Sequence, residues 1–358
     1  MNSGRQNSYV QVIIPARNEQ ECIGRCLQSL ISQQGIDFQI TVVDDCSTDR
    51  TRAIAESFTG VRVISSCEPA PGISGKCNAL ITAAEDSRAK WLLFSDADTF
   101  HYPGSLAASV AEAEGRNVDL LSYSPEQEVV TLSEQMLMPV VFADLTRTYP
   151  TERVNDPASP VAAANGQYLL VRREIYEQLG GHRAVAAKVL EDVELARLFK
   201  NSGRKIWFRY GAELVQTRMY RSLSSLVEGW TKNLALLFPH TVLLAVLRLL
   251  EFIIIPGSLI AGVISIIQHQ YPSGLALLVA SLMFYVRFWV RISKAHFAWK
   301  PNLMAITGLP FFGFLLLRSS FHARVRGSVA WKGRKYTHSE PATPIKSSIQ
   351  EGNFTIKG

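Results

Sequence analysis

The sequence has no apolar run before Tyr9, so neither a signal peptide nor a leading membrane helix is expected. Cysteine is scarce: five in 358 residues, at positions 22, 26, 46, 67 and 77. Cys22 and Cys26 can share a helix face, but no histidines accompany them, which argues against a zinc site. Reduced thiols fit a cytoplasmic location. No Gly-x-Gly-x-x-Gly follows the first strand-like segment, which disfavours a dinucleotide-dependent oxidoreductase. The net charge is +6, yet no stripe of base-stacking aromatics goes with it, so nucleic acid is not an expected partner. No internal repeat divides the chain.

What is present begins with Asp96-Ala97-Asp98, directly after the apolar run Trp91-Leu92-Leu93-Phe94. Such a run reads as a buried strand that emerges at Ser95. Side chains alternate along an extended segment, which sets Asp96 and Asp98 on one side and Ala97 on the other. Two carboxylates held together repel each other unless a divalent cation sits beside them. Mg²⁺ and Mn²⁺ take one or two protein carboxylates and fill the remaining positions with phosphate oxygens and water. The motif points to a metal at Asp98 and Asp96 and to a phosphate substrate; the plain alternative is a turn or a solvated loop.

Upstream, Val10 to Ile14 form a short apolar strand ending at Pro15, and Ile23, Leu27, Leu30 and Ile31 follow at helical spacing. A second strand, Ile40 to Val43, runs into Asp44 and Asp45, and a helix follows in which Ser47 or Thr48 can cap. Then come a strand from Val61 to Ile64, a Gly-rich loop at 71–76 and a helix from about Asn78 to Ala84. Short alternating units of this kind predict a mainly parallel sheet with helices on both faces. Ligands of such sheets bind beyond the carboxyl ends of the strands, where Pro15, Asp44-Asp45 and Asp96-Ala97-Asp98 all fall.

The segments Val12–Glu19, Val42–Thr51, Ser74–Lys76, Asp96–Asp98, Asn165–Gln167 and Glu191–Asp192, in this order, resemble the family-2 glycosyltransferases of the GT-A fold. The likeness covers roughly residues 9 to 235. It implies an α/β fold, a GT-A (Rossmann-like) nucleotide-sugar domain followed by C-terminal transmembrane helices. The implied reaction is inverting transfer of a sugar from a nucleoside diphosphate, most simply UDP, with Mn²⁺ or Mg²⁺. The resemblance puts the base near Pro15, Arg17, Glu19, Asp44 and Asp45, and the diphosphate on a metal at Asp98. Asp44 and Asp45 can accept hydrogen bonds from a uracil N–H and ribose hydroxyls, or serve as a turn before a helix. Lys76 lies in a Gly-flanked loop where backbone can approach phosphate, or is a solvated lysine. Gly166, beside Gln167, would let the backbone pass close to the sugar.

Glu191 and Asp192 open a helix, where acids are ordinary partners of the helix dipole. An inverting transfer also needs one carboxylate to take the acceptor hydroxyl's proton, and the resemblance gives that role to Asp192 of the pair. Many membrane members carry a Gln-x-x-Arg-Trp motif serving acceptor and diphosphate. Here Arg218, Arg221, Trp230 and Lys232 are present in a different spacing, which leaves open which of them replaces it.

From residue 234 the composition turns apolar. Segments at about 242–267 and 274–292 are long enough to span a bilayer. A third block, 303–317, is short and interrupted by Gly308-Leu309-Pro310, which suggests a re-entrant or interfacial piece. The expected division is a catalytic domain over 1–235, a membrane region over 236–320 with two spans plus that third block, and a basic interfacial segment with a flexible tail over 321–358. From residue 240 on there are 13 Lys and Arg against 3 Asp and Glu, a membrane-surface signature. The uncharged loop between the two spans places the catalytic domain and the basic stretches on the cytoplasmic side of the plasma membrane. The segment Trp331 to Tyr336 resembles the end of carotenoid- and hopanoid-associated members of the family, and an interfacial or site-closing role is expected for it. The expected acceptor is a membrane lipid, isoprenoid or glycerolipid. The alternatives are a non-catalytic nucleotide-sugar-binding membrane protein, which would not need to retain all these acids, and a polysaccharide synthase, which would need more spans.

Overall fold

The computed structural model describes residues 8–66, 68–70, 72–326, 328–331 and 334–337. Its first part alternates as expected: β1 (Val10–Ala16), α1 (Ile23–Ile31), β2 (Phe38–Asp44), α2 (Thr51–Glu56), β3 (Val61–Ser65), α3 (Gly75–Glu85) and β4 (Trp91–Phe94). There follow β5 (Thr99–His101), α4 (Ser105–Gly115), β6 (Leu120–Ser124), β7 (Glu126–Gln127), α5 (Leu132–Thr148) and α6 (Thr151–Asn155). After these come β8 (Leu169–Arg172), α7 (Arg173–Gln178), α8 (Gly181–Val185), α9 (Glu191–Asn201), β9 (Ile206–Tyr210), β10 (Val215–Thr217) and α10 (Leu223–Leu237).

Seven strands form one sheet in the order β3-β2-β1-β4-β8-β6-β9, with only β8 running against the rest. Alternation along β1 sends Val12 and Ile14 into one core with Ile23, Leu27 and Leu30 of α1, and Ile13 into the other with Leu80, Leu195 and Phe199. Both faces are therefore covered, as parallel strands require. Pro15 is tolerated inside β1 because β4 pairs only as far as Ile13, so no ladder partner waits for its missing N–H. A second, small sheet in the order β5-β10-β7 sits just beyond the end of β4.

The chain then enters α11 (Thr241–Ile267), α12 (Tyr271–Ser293) and α13 (Trp299–Phe321), each long and apolar enough to cross a membrane. They share a third core with α5 and α10, built on Leu137, Val141, Trp230, Phe288, Phe312 and their neighbours. The expected break at Gly308-Leu309-Pro310 is absent: α13 is one continuous helix. Gly308 is there for a different reason, since a Cβ at that position would lie 2.0 Å from the Met136 carbonyl oxygen of α5. Half of α13's most apolar window is buried, against 11% and 17% for α11 and α12.

Both ends of α13 are fastened to the α/β part. At its start, His296 stacks on Tyr210 of β9 with ring centres 4.2 Å apart. At its end, the Ser319 hydroxyl donates to Thr231 O (2.7 Å) and accepts from Ala235 N (2.8 Å), both in α10. Beyond it, β11 (Ser328–Trp331) and β12 (Arg334–Thr337) form an antiparallel pair, with β11 against α10. Of the segment and tail expected over 321–358, residues 338–358 lie outside the described residues.

Candidate active site

The register of β1 and β2 sets Ala16 opposite Asp44, and Ser95 N donates to Ile13 O, so the loops after β1, β2 and β4 form one rim. At its first corner Asp44 and Asp45 are both buried, 6% and 4% exposed. Asp44 Oδ1 accepts from Ser47 N (3.3 Å), Ser66 Oγ donates to Asp45 Oδ1 (3.3 Å) and Arg17 Nη1 donates to Asp45 O (2.8 Å). Asn18 and Cys46 both adopt left-handed backbone, with φ of 54° and 53°, and Asn18 Oδ1 accepts from Thr48 N (2.8 Å). Glu19 N donates to Thr51 Oγ1 (2.7 Å), while its carboxylate accepts from the Cys22 thiol (3.1 Å). Pro15, half-buried, completes the corner. The helix after Asp45 has Arg50 at its N-cap and no side-chain cap, where Ser47 or Thr48 was expected; just before it Asp49 Oδ1 accepts from Thr51 N (2.9 Å). Asp44 thus closes the turn that follows β2.

At the second corner Ala97 is buried, while Asp96 and Asp98 keep access to the cleft, as the alternation predicts. Beneath them lies a buried hydrogen-bond network. Thr217 Oγ1 donates to Asp98 O (3.3 Å) and accepts from Gln167 Nε2 (3.3 Å), and Thr99 Oγ1 donates to Asp96 O (2.8 Å). His101 Nε2 lies 3.1 Å from both the Ser95 and Thr99 hydroxyls, and burial pushes this ring down to about 3, so it stays neutral. Gln167, expected at the cleft, is 4% exposed and acts as a brace under Asp98. Among the described residues, no three or more His, Cys, Asp or Glu side chains cluster as a metal cage. Two carboxylates with oxygen donors only still suit a hard cation that takes its other ligands from substrate and water.

The third corner joins elements far apart in sequence. Lys76 is not in a loop: Ser74 Oγ accepts from Cys77 N (3.0 Å) and starts α3 at Gly75, so Lys76 lies in its first turn. Its Nζ meets Asp96 Oδ1 at 2.8 Å and Glu191 Oε1 at 3.0 Å. Burial opposes its charge, but Asp96, Glu191 and Asp192 together hold its pKa well above the ordinary lysine value. Asp192 Oδ2 accepts from Gly166 N (2.8 Å) and Oδ1 from Val193 N (2.8 Å). Gly166 also leaves room for the side chains: a Cβ there would lie 3.0 Å from Lys76 Nζ and 3.4 Å from Asp192 Oδ2.

The two neighbouring acids are driven apart. Burial, then the charge of Glu191, pushes Asp192 up to about 6. Burial also acts on Glu191, but Lys76 and then Lys232 hold it below the usual carboxylate value. Lys232, brought in by α10, is itself lowered by burial, with Glu191 opposing. Such divergent pairs are how a fold obtains one ionised acid and one acid that titrates near working pH.

The remaining candidates come from the segment after β10 and from α10. Arg218 is tied to Glu134, the capping-box residue of α5 (3.2 and 3.3 Å), and so fixes a helix. Arg221 is exposed. Trp230 is 2% exposed, packed between Tyr220 and Phe142.

Sequence reasoning also passed over a cavity of about 1250 Å³ that begins at Asp192 and Asn165 and continues between α5, α10, α11 and α12. Arg248, Glu251 and Arg291 line it; behind them Asp144 of α5 binds Arg248 (2.8 and 2.7 Å) and Arg291 (3.2 and 3.3 Å), and Glu251 binds the same two arginines (2.8 and 2.6 Å). This paired quartet locks α11 and α12 to α5. Its signal was available, because charges inside apolar helices are costly and mark internal partners.

Residues 11–180 match the sequence model of "Glycosyl transferase family 2". A curated relative, the 4,4'-diaponeurosporenoate glycosyltransferase of Staphylococcus aureus (strain MRSA252), is 28% identical over 344 residues, covering 92% of this chain and 88% of its own. Among solved structures, a mannosyltransferase of Pyrobaculum calidifontis in complex with GDP-Man and Mn²⁺ is 16% identical at a TM-score of 0.48, over 90% of this chain and 88% of its own. The chain thus carries a family-2 glycosyltransferase domain ahead of its three apolar helices, and it is a glycosyltransferase.

Proposed function

We propose that this enzyme moves a sugar, with inversion, from a UDP-sugar to a membrane lipid at the cytoplasmic face of the cell membrane. The observation that carries the reading is the cavity joining Asp192 to the apolar helices α11 and α12. The name of the Staphylococcus aureus relative supports a lipid-related acceptor. The division proposed is 1–235 catalytic, 236–320 in or on the membrane, and 321–358 interfacial.

In this reading the buried corner of Pro15, Arg17, Glu19, Asp44 and Asp45 receives the nucleoside. Asp98 and Asp96 would hold Mn²⁺ or Mg²⁺, which when bound supplies positive charge to the departing diphosphate. Lys76 is poised to trade its contact with Asp96 for a phosphate oxygen. The acceptor hydroxyl attacks the anomeric carbon from the cavity side as the bond to the diphosphate breaks, and Asp192 takes the hydroxyl proton. Gly166 N and Val193 N fix the Asp192 carboxylate, while Glu191 stays ionised and anchors Lys76 and Lys232.

The test is incubation of the full-length protein in membranes with radiolabelled nucleotide sugars, followed by lipid extraction. Label should enter the lipid fraction from a UDP-sugar and be lost with chelator or with Asp98→Asn. Turnover undiminished by chelator removes the metal. Label confined to water-soluble products removes the lipid acceptor.

A further inference from the structure

α10 takes a hydroxyl from another helix into its backbone ladder. An α-helix pairs each carbonyl with the amide four positions on. In α10 both members of one such pair, Thr231 O and Ala235 N, bond the Ser319 hydroxyl of α13. It donates to the carbonyl at 2.7 Å and accepts from the amide at 2.8 Å. Ser319 is 1% exposed, so the exchange is shielded from bulk water. A side chain inserted at such a pair sets how far the turn opens.

The turn it enters is the one that serves the cleft. Between the two bridged residues lie Lys232, Asn233 and Leu234. Asn233 lines the cavity that begins at Asp192, and Leu234 is buried in the core shared with α13. The half-buried Lys232 is held in a balance: burial opposes its charge, Glu191, Asp192 and Asp96 favour it, and Lys76 repels it. Each of these charge effects changes with distance, so the balance depends on where the backbone of α10 puts the ammonium. We propose that Ser319 is a positioning residue for the transfer: from α13 it sets the α10 turn that places Lys232 beside Glu191 and Asp192. The docking of the apolar helices thereby reaches the reacting groups through one hydroxyl. The inference rests on the reading of this cleft as the transfer site and is independent of which lipid accepts the sugar.

α10 has other fastenings, since Ser222 Oγ accepts from Ser225 N at its start (3.1 Å) and the Tyr149 hydroxyl donates to Leu237 O at its end (2.7 Å). Ser319→Ala should therefore leave a folded helix whose bridged turn closes on itself. Ser319→Ala, Lys232→Gln and the double variant are compared as full-length proteins in membranes, with the radiolabelled UDP-sugar that labels lipid in the assay above. Each single variant should lower kcat about tenfold. The double variant should be no slower than Lys232→Gln alone, because a residue that acts through Lys232 then has nothing left to position. The kcat limb expected at about pH 6 should move up by about half a unit in Ser319→Ala, since withdrawing a cation from Asp192 disfavours its charged form. Ser319→Cys, nearly isosteric but a weak hydrogen-bonding group, repeats the test if Ser319→Ala fails to accumulate, and should show both effects in smaller measure. Thr307→Ala, which removes an α13 hydroxyl bonded to Met304 O of its own helix (2.7 Å), should show neither. Full turnover in Ser319→Ala, additive losses in the double variant or an unmoved limb would make Ser319 a packing contact and overturn the inference. If Asp98→Asn and Asp192→Asn, run alongside, keep full turnover, the reading of the cleft itself fails, and this inference with it.

Discussion

Glu191 and Asp192 share a helix start and a cleft, yet their environments separate them: burial and then the Glu191 charge raise Asp192, while Lys76 and then Lys232 outweigh burial and hold Glu191 down. Asp192, pushed up to about 6, is therefore the carboxylate able to take a proton and release it again near neutrality. Its base form exists above that pKa, so kcat should climb as pH rises through about 6 and then level; at pH 5 about one-tenth of it is ionised. A pH profile without that limb rejects the assignment. For stability the sign is opposite. A carboxyl whose pKa is raised on folding favours the fold at low pH, and that contribution is lost as pH rises through about 6. Asp192→Asn should therefore keep or gain thermal stability at pH 7, bind UDP normally, and turn over about 10²-fold more slowly. Gly166→Ala provides a second probe. Its methyl pushes the tip of Lys76 by a few tenths of an ångström against its bridge to Asp96 and Glu191, and because that tip is flexible the fold survives while kcat falls about tenfold. Normal turnover in Gly166→Ala would mean that the Lys76 bridge has no part in the reaction. At this scale the sequence was readable where chemistry is local, at Asp96, Asp98, Glu191 and Asp192. It named Gln167 but not the brace that Gln167 forms under Asp98, and it was silent on Thr217 and His101, whose network joins three separate segments, and on Glu134 as the partner of Arg218.

Strands and their ends followed from short apolar runs, because buried parallel strands need little else to be recognised. Helices were harder where they are covered on more than one side. In α5 the buried Leu137, Met138, Val140 and Val141 run almost without a gap, so no amphipathic stripe marks the helix. The start of α3 was misplaced because Gly75-Lys76 reads as loop, although the Ser74 cap was visible. In α13, Pro310 and Gly308 read as a break, but a helix packed against neighbours can carry both. Gly308 gives the sharpest test of that packing. A methyl there meets the α5 backbone, which cannot turn aside as a side chain can, so Gly308→Ala should destabilise the full-length protein by about 2 kcal/mol. Gly257 in α11 has nothing within 4 Å of its absent Cβ, and Gly257→Ala should leave stability level or raise it by up to about 1 kcal/mol. Thermal unfolding in one detergent compares the two; equal midpoints would mean that α13 does not dock on α5 in solution.

Across the whole molecule, the proposed topology turns on the docking of α13. A third span would carry Val325 away from the catalytic domain, but the Tyr210–His296 stack and the Thr231–Ser319–Ala235 bonds hold both ends of α13 against the same α/β body. The short connection between α11 and α12, residues 268–270, has no charge, whereas Arg291, Lys294, Lys300, Arg318, Arg324 and Arg326 gather near the ends of α12 and α13. In the proposed arrangement, positive charge kept on the cytoplasmic side makes α11 and α12 a hairpin through the bilayer and α13 an interfacial helix beneath the catalytic domain. This also explains why the membrane part is not a removable anchor. Deleting residues from 240 onward would strip α5 and α10 of the core they share with α11, α12 and α13, so the isolated domain should precipitate rather than act on soluble acceptors. Single cysteines in a background without the native thiols test the arrangement in the intact chain. A cysteine at Ser273 should react with an impermeant maleimide in whole cells, and one at Val325, a 66% exposed position, only after permeabilisation. Labelling of both in whole cells would make α13 a third span and put its basic end outside. Labelling of neither would leave α11 and α12 on the cytoplasmic surface, with no access for a chain from within the bilayer.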